Sequence, residues 1–254
     1  MTDFSAFSLE GRRIAVTGAN TGIGQGIAVA IAKAGGEVIG VGRSAMDETA
    51  ALMKAQGAAF TPVACDLGDH ISAVAMLDRV WETGGPIDGL VNNAGIIRRA
   101  DSVDFSELDW DDVMDVNLKS VFFLCQAFAK KALGAARPGK IVNIASVLSF
   151  QGGIRVPSYT ASKHGVLGIT RLLACEWAAK GINVNAVAPG YVVTNNTAAL
   201  RADEERSAAI MARIPAGRWG EPSDIAGAAV FLLAPASAYM HGAVISVDGG
   251  WLAR

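Results

Sequence analysis

A tyrosine and a lysine stand four positions apart in the stretch VPSYTASKHG, which covers residues 156–165. In an α-helix, side chains at this spacing lie on one face, with their Cβ atoms about 5–6 Å apart. Pro157 and Ser158 predict a helix start, since proline fits the first turn and serine suits an N-cap. A lysine ammonium beside a phenol favours the phenolate, so Tyr159 and Lys163 could form an acid–base pair. The alternative is an exposed tyrosine with an unrelated lysine neighbour, and the rest of the sequence must decide.

A glycine-rich turn lies near the N-terminus, in the stretch VTGANTGIGQG. Gly18, Gly22 and Gly24 follow the pattern TGxxxGxG and stand between a predicted strand and a predicted amphipathic helix. Glycines there allow a tight turn and let main-chain N–H groups approach a pyrophosphate at the positive end of the helix. The turn therefore predicts dinucleotide binding. The three histidines are scattered, and the sequence predicts no metal site.

The residues that would select the dinucleotide are unusual. An acidic side chain that binds the adenosine ribose is expected at the end of the second predicted strand, but the sequence has Gly42 and Arg43 there. Arg43 has two open interpretations. It could contact a 2′-phosphate, which favours NADP(H), or it could be a solvated arginine stacked on adenine. Asp66, after the third predicted strand, is better placed to contact the adenine ring.

The composition indicates a globular protein without a nucleic-acid or membrane partner. Hydrophobic residues make up 51% of the 254 residues and charged residues 18%, so the chain can bury a large core. A net charge of −2 argues against a nucleic-acid binder. No secretory signal or membrane span is predicted, and the three scattered cysteines favour a reducing compartment. The sequence therefore predicts a soluble, cytoplasmic protein.

Short apolar runs alternate with helical patterns along the whole chain. Continuous Val/Ile/Ala runs suit strands that are buried on both faces of a parallel sheet. They predict strands at 12–17, 37–42, 59–65, 87–93, 140–146, 182–188 and 243–248, with helices at about 23–34, 47–56, 69–83, 104–133, 157–180 and 222–233. The alternation predicts one α/β domain, residues 1–254, built as a Rossmann-type doubly wound parallel sheet of about seven strands with helices on both faces. The exception is a long predicted substrate loop at about 190–220.

The ordered set of motifs resembles the short-chain dehydrogenase/reductase family over essentially the whole chain. The set is TGxxxGxG at 17–24, CDL at 65–67, NNAG at 92–95, Asn117, Ser146, the Tyr159–Lys163 pair and PG at 189–190. The resemblance implies an oxidoreductase in which Tyr159 exchanges a proton with the reacting oxygen and Lys163 lowers the pKa of Tyr159 and binds the nicotinamide ribose. It also implies that Ser146 hydrogen-bonds the reacting oxygen and that Asn117 holds a water in a proton relay.

The same resemblance implies NAD(H) as the cofactor, while Gly42-Arg43 leaves NADP(H) open. It implies a homotetramer as well. The residues expected to contact the cofactor lie in the motifs: Gly18, Asn20, Thr21, Gly22, Ile23, Gly24, Arg43, Asp66, Leu67, Asn93, Ala94, Gly95, Tyr159, Lys163, Pro189 and Gly190.

Segments that differ among family members resemble those of enzymes acting on deoxy-ketosugar acids in the breakdown of pectin-type uronates. These segments are NNAGIIRR, SFQGGIRVPSYTASK, APGYVVTNNT, LRADEERSAAI, RIPAGRWGEPSD and VDGGWLAR. A sugar acid needs a cation for its carboxylate, and arginine offers two parallel hydrogen bonds. The leading substrate candidates are Arg98, Gln151, Arg155, Tyr191 and Asn196, followed by Arg99, Asn195, Arg201, Arg206, Arg213 and Trp219.

Two alternatives remain open from the sequence. One keeps the chemistry but takes gluconate, glucose or an acyl-carrier-bound ketone as substrate. The other is a catalytically silent cofactor sensor on the same fold, although such a protein would be expected to lose the tyrosine or the lysine.

Overall fold

A seven-stranded parallel sheet forms the centre of the protein. The computed structural model describes residues 4–254. In chain order the strands are β1 (Arg13–Thr17), β2 (Glu37–Gly42), β3 (Phe60–Ala64), β4 (Gly89–Asn92), β5 (Gly139–Ile144), β6 (Ile182–Pro189) and β7 (Val244–Val247). Their order in the sheet is β3-β2-β1-β4-β5-β6-β7, and every neighbouring pair is parallel. The predicted doubly wound α/β sheet is confirmed.

Helices cover both faces of this sheet. They are α1 (Gly22–Lys33), α2 (Asp47–Ala55), α3 (His70–Gly84), α4 (Glu107–Met114), α5 (Ser120–Gly134), α6 (Pro157–Trp177), α7 (Ala198–Ala202), α8 (Glu204–Met211) and α9 (Pro222–Leu233). Apolar residues of α1, α2 and α9 form one buried cluster, and those of α3, α5 and α6 form another on the opposite face. Because both faces are covered, the strands can be apolar throughout, and all eight residues of β6 are buried.

The strand order reverses between β1 and β4. In open α/β sheets, ligands bind outside the carboxyl ends of the strands at such a reversal. Thr17, at the end of β1, fixes this point, since its hydroxyl oxygen accepts hydrogen bonds from the main-chain N–H groups of Asn93 and Ala94, both 3.0 Å. The crevice between the two strand ends therefore has a rigid floor.

Three local predictions differ from the structure. The helix predicted over 104–133 begins at Glu107, because the Ser106 hydroxyl caps it by accepting from the Asp109 N–H, and it contains a π-helical turn at Asp115–Lys119. Ser158 is not a cap. The helix begins one residue earlier at Pro157, and the Ser158 hydroxyl is buried without a hydrogen-bond partner.

The third difference lies in the segment predicted as a long loop at 190–220. It contains α7, α8 and a 3₁₀ turn at Asn195–Thr197. Asp203 is the N-cap of α8, since its side chain accepts a hydrogen bond from the Arg206 N–H at 3.0 Å. Across residues 4–254, none of the helices is long and apolar enough to cross a membrane.

Candidate active site

A cavity of about 480 Å³ opens at the carboxyl ends of β1 and β4. All but one of the predicted cofactor residues line it, from Gly18 in the first turn to Gly190 after β6. The exception is Gly24, which lies behind the cavity wall in α1. The cavity also holds Ser146, Tyr159 and Lys163, so the predicted dinucleotide cradle and the predicted acid–base residues share one space.

The glycine turn is shaped for close approach of a ligand to main chain. Gly18 and Gly22 have φ of +66° and +57°, a left-handed conformation that suits residues without a Cβ. The side chain of Thr21, at the N-cap of α1, makes no capping hydrogen bond, so the first N–H groups of that helix are available to an anion. The turn fits a dinucleotide pyrophosphate.

The end of the cavity at β2 carries polar and basic groups. Arg43 is exposed, and its Nη1 lies 4.0 Å from Asp66 Oδ2. The Asn20 amide donates to the Ser44 hydroxyl at 2.7 Å. Asn20, Arg43 and Ser44 all line the cavity. Ser44 was not among the predicted residues, although its position directly after Arg43 was a usable signal.

Tyr159 and Lys163 line the same cavity from α6. Lys163 is buried, with its Nζ 5.6 Å from the centre of the Tyr159 ring. The Lys163 ammonium donates a 2.6 Å hydrogen bond to the Ile144 carbonyl at the end of β5. Ser146, two residues beyond β5, is hydrogen-bonded through its side chain to Tyr159. The strand end and the helix thus bring these three side chains together.

Burial dominates the acid–base properties of this cluster. It raises the pKa of Tyr159, against smaller lowering effects from the Ser146 hydrogen bond and the Arg99 charge. It lowers the pKa of Lys163 to about 8. The sequence led us to expect a lowered pKa for Tyr159, with a lysine ammonium and an oxidised nicotinamide beside the phenol, but it says nothing of the desolvation that acts in the opposite direction. Because its pKa is raised, Tyr159 is protonated at neutral pH and can donate its proton.

Asn117 lies in the π-helical turn and is fully buried. Its side-chain amide makes two hydrogen bonds with the main chain of Ile96. Oδ1 accepts from the Ile96 N–H at 2.8 Å, and Nδ2 donates to the Ile96 carbonyl at 2.9 Å. The side chain therefore holds the loop after NNAG in place. The expected role of Asn117 in holding a relay water stays a prediction, and π-helical turns often mark functional sites.

The two leading arginine candidates are already paired with carboxylates. Arg98 contacts Asp109 at 3.2 Å and Asp112 at 3.0 Å in α4. Arg155 has a φ of +63° and pairs with Asp101 at 3.0 Å. Each guanidinium thus already has a carboxylate partner in this structure, and the expectation that these two lead the carboxylate site stays a prediction.

Of the other substrate candidates, Asn195 lines the main cavity, and so does Asn196. Its amide lies 3.5 Å from the Gly95 carbonyl. Gln151 lies outside the cavity lining, and the Tyr191 ring packs against Trp219 and Trp251, with ring centres 5.6 and 4.7 Å apart. Aromatic packing behind the cavity therefore explains why Tyr191 does not face it.

Arg99, the neighbour of Arg98 in the chain, contacts a residue that lines the cavity. Its Nη2 donates a 2.7 Å hydrogen bond to the Asn196 carbonyl at the cavity mouth. Its charge lowers the pKa of Tyr159, whereas no carboxylate within residues 4–254 forms an ion pair with it. The local sequence cannot distinguish the two adjacent arginines, since side-chain direction in an irregular loop depends on the packing around it.

Comparisons with known proteins agree with this architecture. Residues 18–252 match the family model described as enoyl-(acyl carrier protein) reductase. The 2-dehydro-3-deoxy-D-gluconate 5-dehydrogenase of Escherichia coli (strain K12) is 58% identical over 250 residues, which are 98% of this chain and 99% of that protein.

Two solved structures are also similar. One, from Agrobacterium tumefaciens with bound NADP, is described provisionally as a 2-deoxy-D-gluconate 3-dehydrogenase; it is 64% identical, with a TM-score of 0.94 over 98% of this chain and 99% of that one. The gluconate 5-dehydrogenase of Burkholderia cenocepacia, solved with NADP and tartrate, is 37% identical, with a TM-score of 0.92 over 98% of both chains. The chain belongs to the short-chain dehydrogenase/reductase family and is an NAD(P)-dependent oxidoreductase.

Proposed function

We propose that the protein interconverts the secondary alcohol and the ketone of 2-dehydro-3-deoxy-D-gluconate. The observation that carries this proposal is Arg99, a guanidinium without a carboxylate partner among residues 4–254, which donates a hydrogen bond to Asn196 in the lining of the cavity that contains Tyr159. The activity of the similar protein from E. coli supports the choice of sugar acid. A place in the breakdown of pectin-type uronates follows from that substrate.

In this reaction the side chains of this protein need to transfer protons over short distances only. The reacting oxygen would lie between the hydroxyls of Ser146 and Tyr159, and the bound nicotinamide supplies or accepts the hydride. Tyr159 gives its proton to the oxygen during reduction and takes one from the alcohol during oxidation. Ser146 donates a hydrogen bond as charge develops on that oxygen. Lys163, held by the Ile144 carbonyl, keeps a positive charge available below its pKa of about 8.

The carboxylate of the substrate would lie against Arg99. A guanidinium can give two parallel hydrogen bonds to a carboxylate, and only one of the Arg99 nitrogens is used by the Asn196 carbonyl. Thr194, Asn196 and Thr197 line the same mouth and offer polar groups to the hydroxyls of a sugar. A long apolar acyl chain would find few apolar partners there.

Replacing Arg99 with glutamine is expected to raise the KM for the sugar acid by roughly 10- to 100-fold, because a charged hydrogen bond to the carboxylate is lost. The matched control is Arg98→Gln, whose side chain contacts α4 and whose removal should leave the KM within about twofold. Steady-state kinetics at saturating cofactor measures both values. A larger KM increase in Arg98→Gln than in Arg99→Gln would contradict the assignment.

The direct test of the proposed function is a panel assay that follows the absorbance of reduced nicotinamide. The panel contains 2-dehydro-3-deoxy-D-gluconate, gluconate, glucose and a 3-oxoacyl thioester, each with NAD(H) and with NADP(H). Preferred turnover of the first compound supports the proposal, and preference for another member refutes the substrate while retaining the chemistry. Cofactor binding without turnover of any secondary alcohol or ketone would favour the silent sensor.

We also propose that Arg43 gives the protein a preference for NADP(H) over NAD(H). Arg43 is 78% exposed in its side chain, and Asn20 and Ser44 stand beside it as hydrogen-bonding groups. A 2′-phosphate would therefore meet one cation and two polar side chains. NADP in the similar structure from Agrobacterium tumefaciens supports this choice.

Replacing Arg43 with alanine is expected to weaken NADP(H) binding by roughly tenfold or more, since a charged hydrogen bond to the phosphate is lost. NAD(H) affinity should stay within about twofold, which makes NAD(H) the internal control. Titration of protein fluorescence with each cofactor measures both affinities. Equal weakening of the two would assign Arg43 to adenine stacking instead.

We propose further that the protein is a cytoplasmic homotetramer with residues 190–220 as its substrate segment. Leu172 on α6 and Tyr239 before β7 are 50% and 99% exposed, and such apolar groups suit association between subunits. Light scattering of the purified protein tests the tetramer. Hydrogen exchange with and without sugar acid tests the segment, which should become protected on binding.

A further inference from the structure

We propose that Ser149 is a positioning residue that sets the distance between Ser146 and Lys163. The inference deepens the proposed function, since it rests on the proposed roles of Ser146 and Tyr159. Ser149 ends a short 3₁₀ turn at Val147–Ser149, which directly follows Ser146. It is 5% exposed, so its hydroxyl must find partners inside the protein.

Those partners belong to two different elements of the catalytic cluster. The Ser149 hydroxyl donates a 2.7 Å hydrogen bond to the main-chain carbonyl of Lys163 in α6. The same oxygen accepts a 3.3 Å hydrogen bond from the Ser146 N–H. One buried hydroxyl thus joins the main chain at Ser146 to the main chain at Lys163, with its proton committed to the second.

This link completes a closed frame around the site. The Lys163 ammonium donates to the Ile144 carbonyl at 2.6 Å, just before Ser146 in the chain. The 144–149 segment therefore holds Lys163 at two points, through the side chain at one end and through the main chain at the other. The Ser146 hydroxyl, which accepts from the Leu148 N–H at 3.1 Å, is oriented inside this frame. Removal of the Ser149 hydroxyl would leave only the Ile144 contact.

The consequence reaches Tyr159 through Ser146. The Ser146 hydrogen bond lowers the pKa of the Tyr159 phenol. If Ser146 moves, that stabilisation of the phenolate weakens, and the pKa of Tyr159 rises. Small displacements of a catalytic group also lower turnover strongly, because the reacting atoms no longer reach their aligned geometry.

A phenolate titration tests the proposal without any substrate. The protein has three tyrosines, so the Tyr159 signal is the ultraviolet absorbance difference between each variant and the same variant with Tyr159→Phe added. Ser149→Ala is expected to raise the pKa of Tyr159 by about half a unit or more, which is a threefold or larger change in the phenolate equilibrium. Ser149→Thr, which keeps a hydroxyl, is expected to restore most of the wild-type value.

The matched control is Ser237→Ala. Ser237 is also a buried serine that closes a 3₁₀ turn, and its hydroxyl donates to main-chain carbonyls near the end of α9, far from Ser146 in the fold. It should lose stability without a change in the Tyr159 titration. If Ser149→Ala does not fold, Ser149→Cys keeps nearly the same volume with a weaker donor and is expected to move the titration in the same direction.

Turnover supplies the second measurement, with whichever alcohol the wild-type protein oxidises. Ser149→Ala should lower kcat by roughly 10- to 100-fold while the KM for cofactor is unchanged, and its pH profile for oxidation should move to higher pH. A titration and a kcat equal to those of Ser237→Ala would overturn the proposal, as would a loss of kcat with no movement of the Tyr159 titration. Failure of the wild-type protein to oxidise the sugar acid would refute the substrate alone.

Discussion

Replacing Tyr159 with phenylalanine is expected to lower kcat at neutral pH by a factor of roughly 10³. The variant removes only the hydroxyl, which we propose donates the proton during reduction. Among residues 4–254, no titratable side chain other than Lys163 lines the cavity close to Ser146 and Tyr159, and the Lys163 ammonium is directed to the Ile144 carbonyl. Steady-state kinetics in both directions measures the effect.

Binding must survive for this result to identify an acid–base role. The affinity of Tyr159→Phe for NADP(H), followed by fluorescence, is expected to stay within about threefold of wild type. Tyr239→Phe is the matched control, since it also removes one phenol hydroxyl but at a residue outside the cavity lining, and it should keep full activity. If Tyr159→Phe retained near-complete turnover, Tyr159 would not be the proton carrier and Ser146 or a water would have to take its place.

Replacing Gly24 with alanine is expected to abolish most cofactor binding and to lower the melting temperature by roughly 3–10 °C. A Cβ at this position would collide with the Gly18 carbonyl and with the Asn93 amide. Neither of these groups can move away easily. Gly18 has a left-handed φ of +66°, and Asn93 Nδ2 donates to the Thr17 carbonyl at 2.9 Å. The turn would open, and the first N–H groups of α1 would no longer converge.

The matched control for this helix substitution is Gly227→Ala in α9. A Cβ there meets no atom within 4 Å, so alanine should stabilise the helix by about 0.5–1 kcal/mol. Thermal melts and cofactor titrations of both variants separate the two effects. Normal NADP(H) affinity in Gly24→Ala would show that the turn tolerates a side chain and that the close packing at Gly24 is not needed for binding.

The sheet and the glycine turn were predictable because they depend on local patterns. Continuous apolar runs require strands that are buried on both faces, and β6 shows this along its whole length. Similarly, TGxxxGxG requires a left-handed turn that only a few residue types can adopt, and Gly18 and Gly22 adopt it. The spacing of Tyr159 and Lys163 on one helix likewise brings their side chains together in any fold that keeps the helix.

The partners of individual charged side chains could not be predicted from the sequence, for a physical reason. Arg98 and Arg99 are adjacent in an irregular loop, and their sequence environment is nearly the same. The fold directs Arg98 to the carboxylates of α4, while Arg99 reaches the Asn196 carbonyl of a segment that is 97 positions away. A partner at such sequence separation becomes visible only when the chain is folded.

Local sequence is enough to predict the parallel sheet, the glycine turn and the pairing of Tyr159 with Lys163, because backbone conformation and short-range spacing are encoded locally. Three properties become visible only in the folded chain: Arg99 has no carboxylate partner among residues 4–254, burial raises the pKa of Tyr159, and Ser149 joins Ser146 to Lys163. These properties depend on desolvation and on contacts between distant segments. Both arise when the strands and helices pack together.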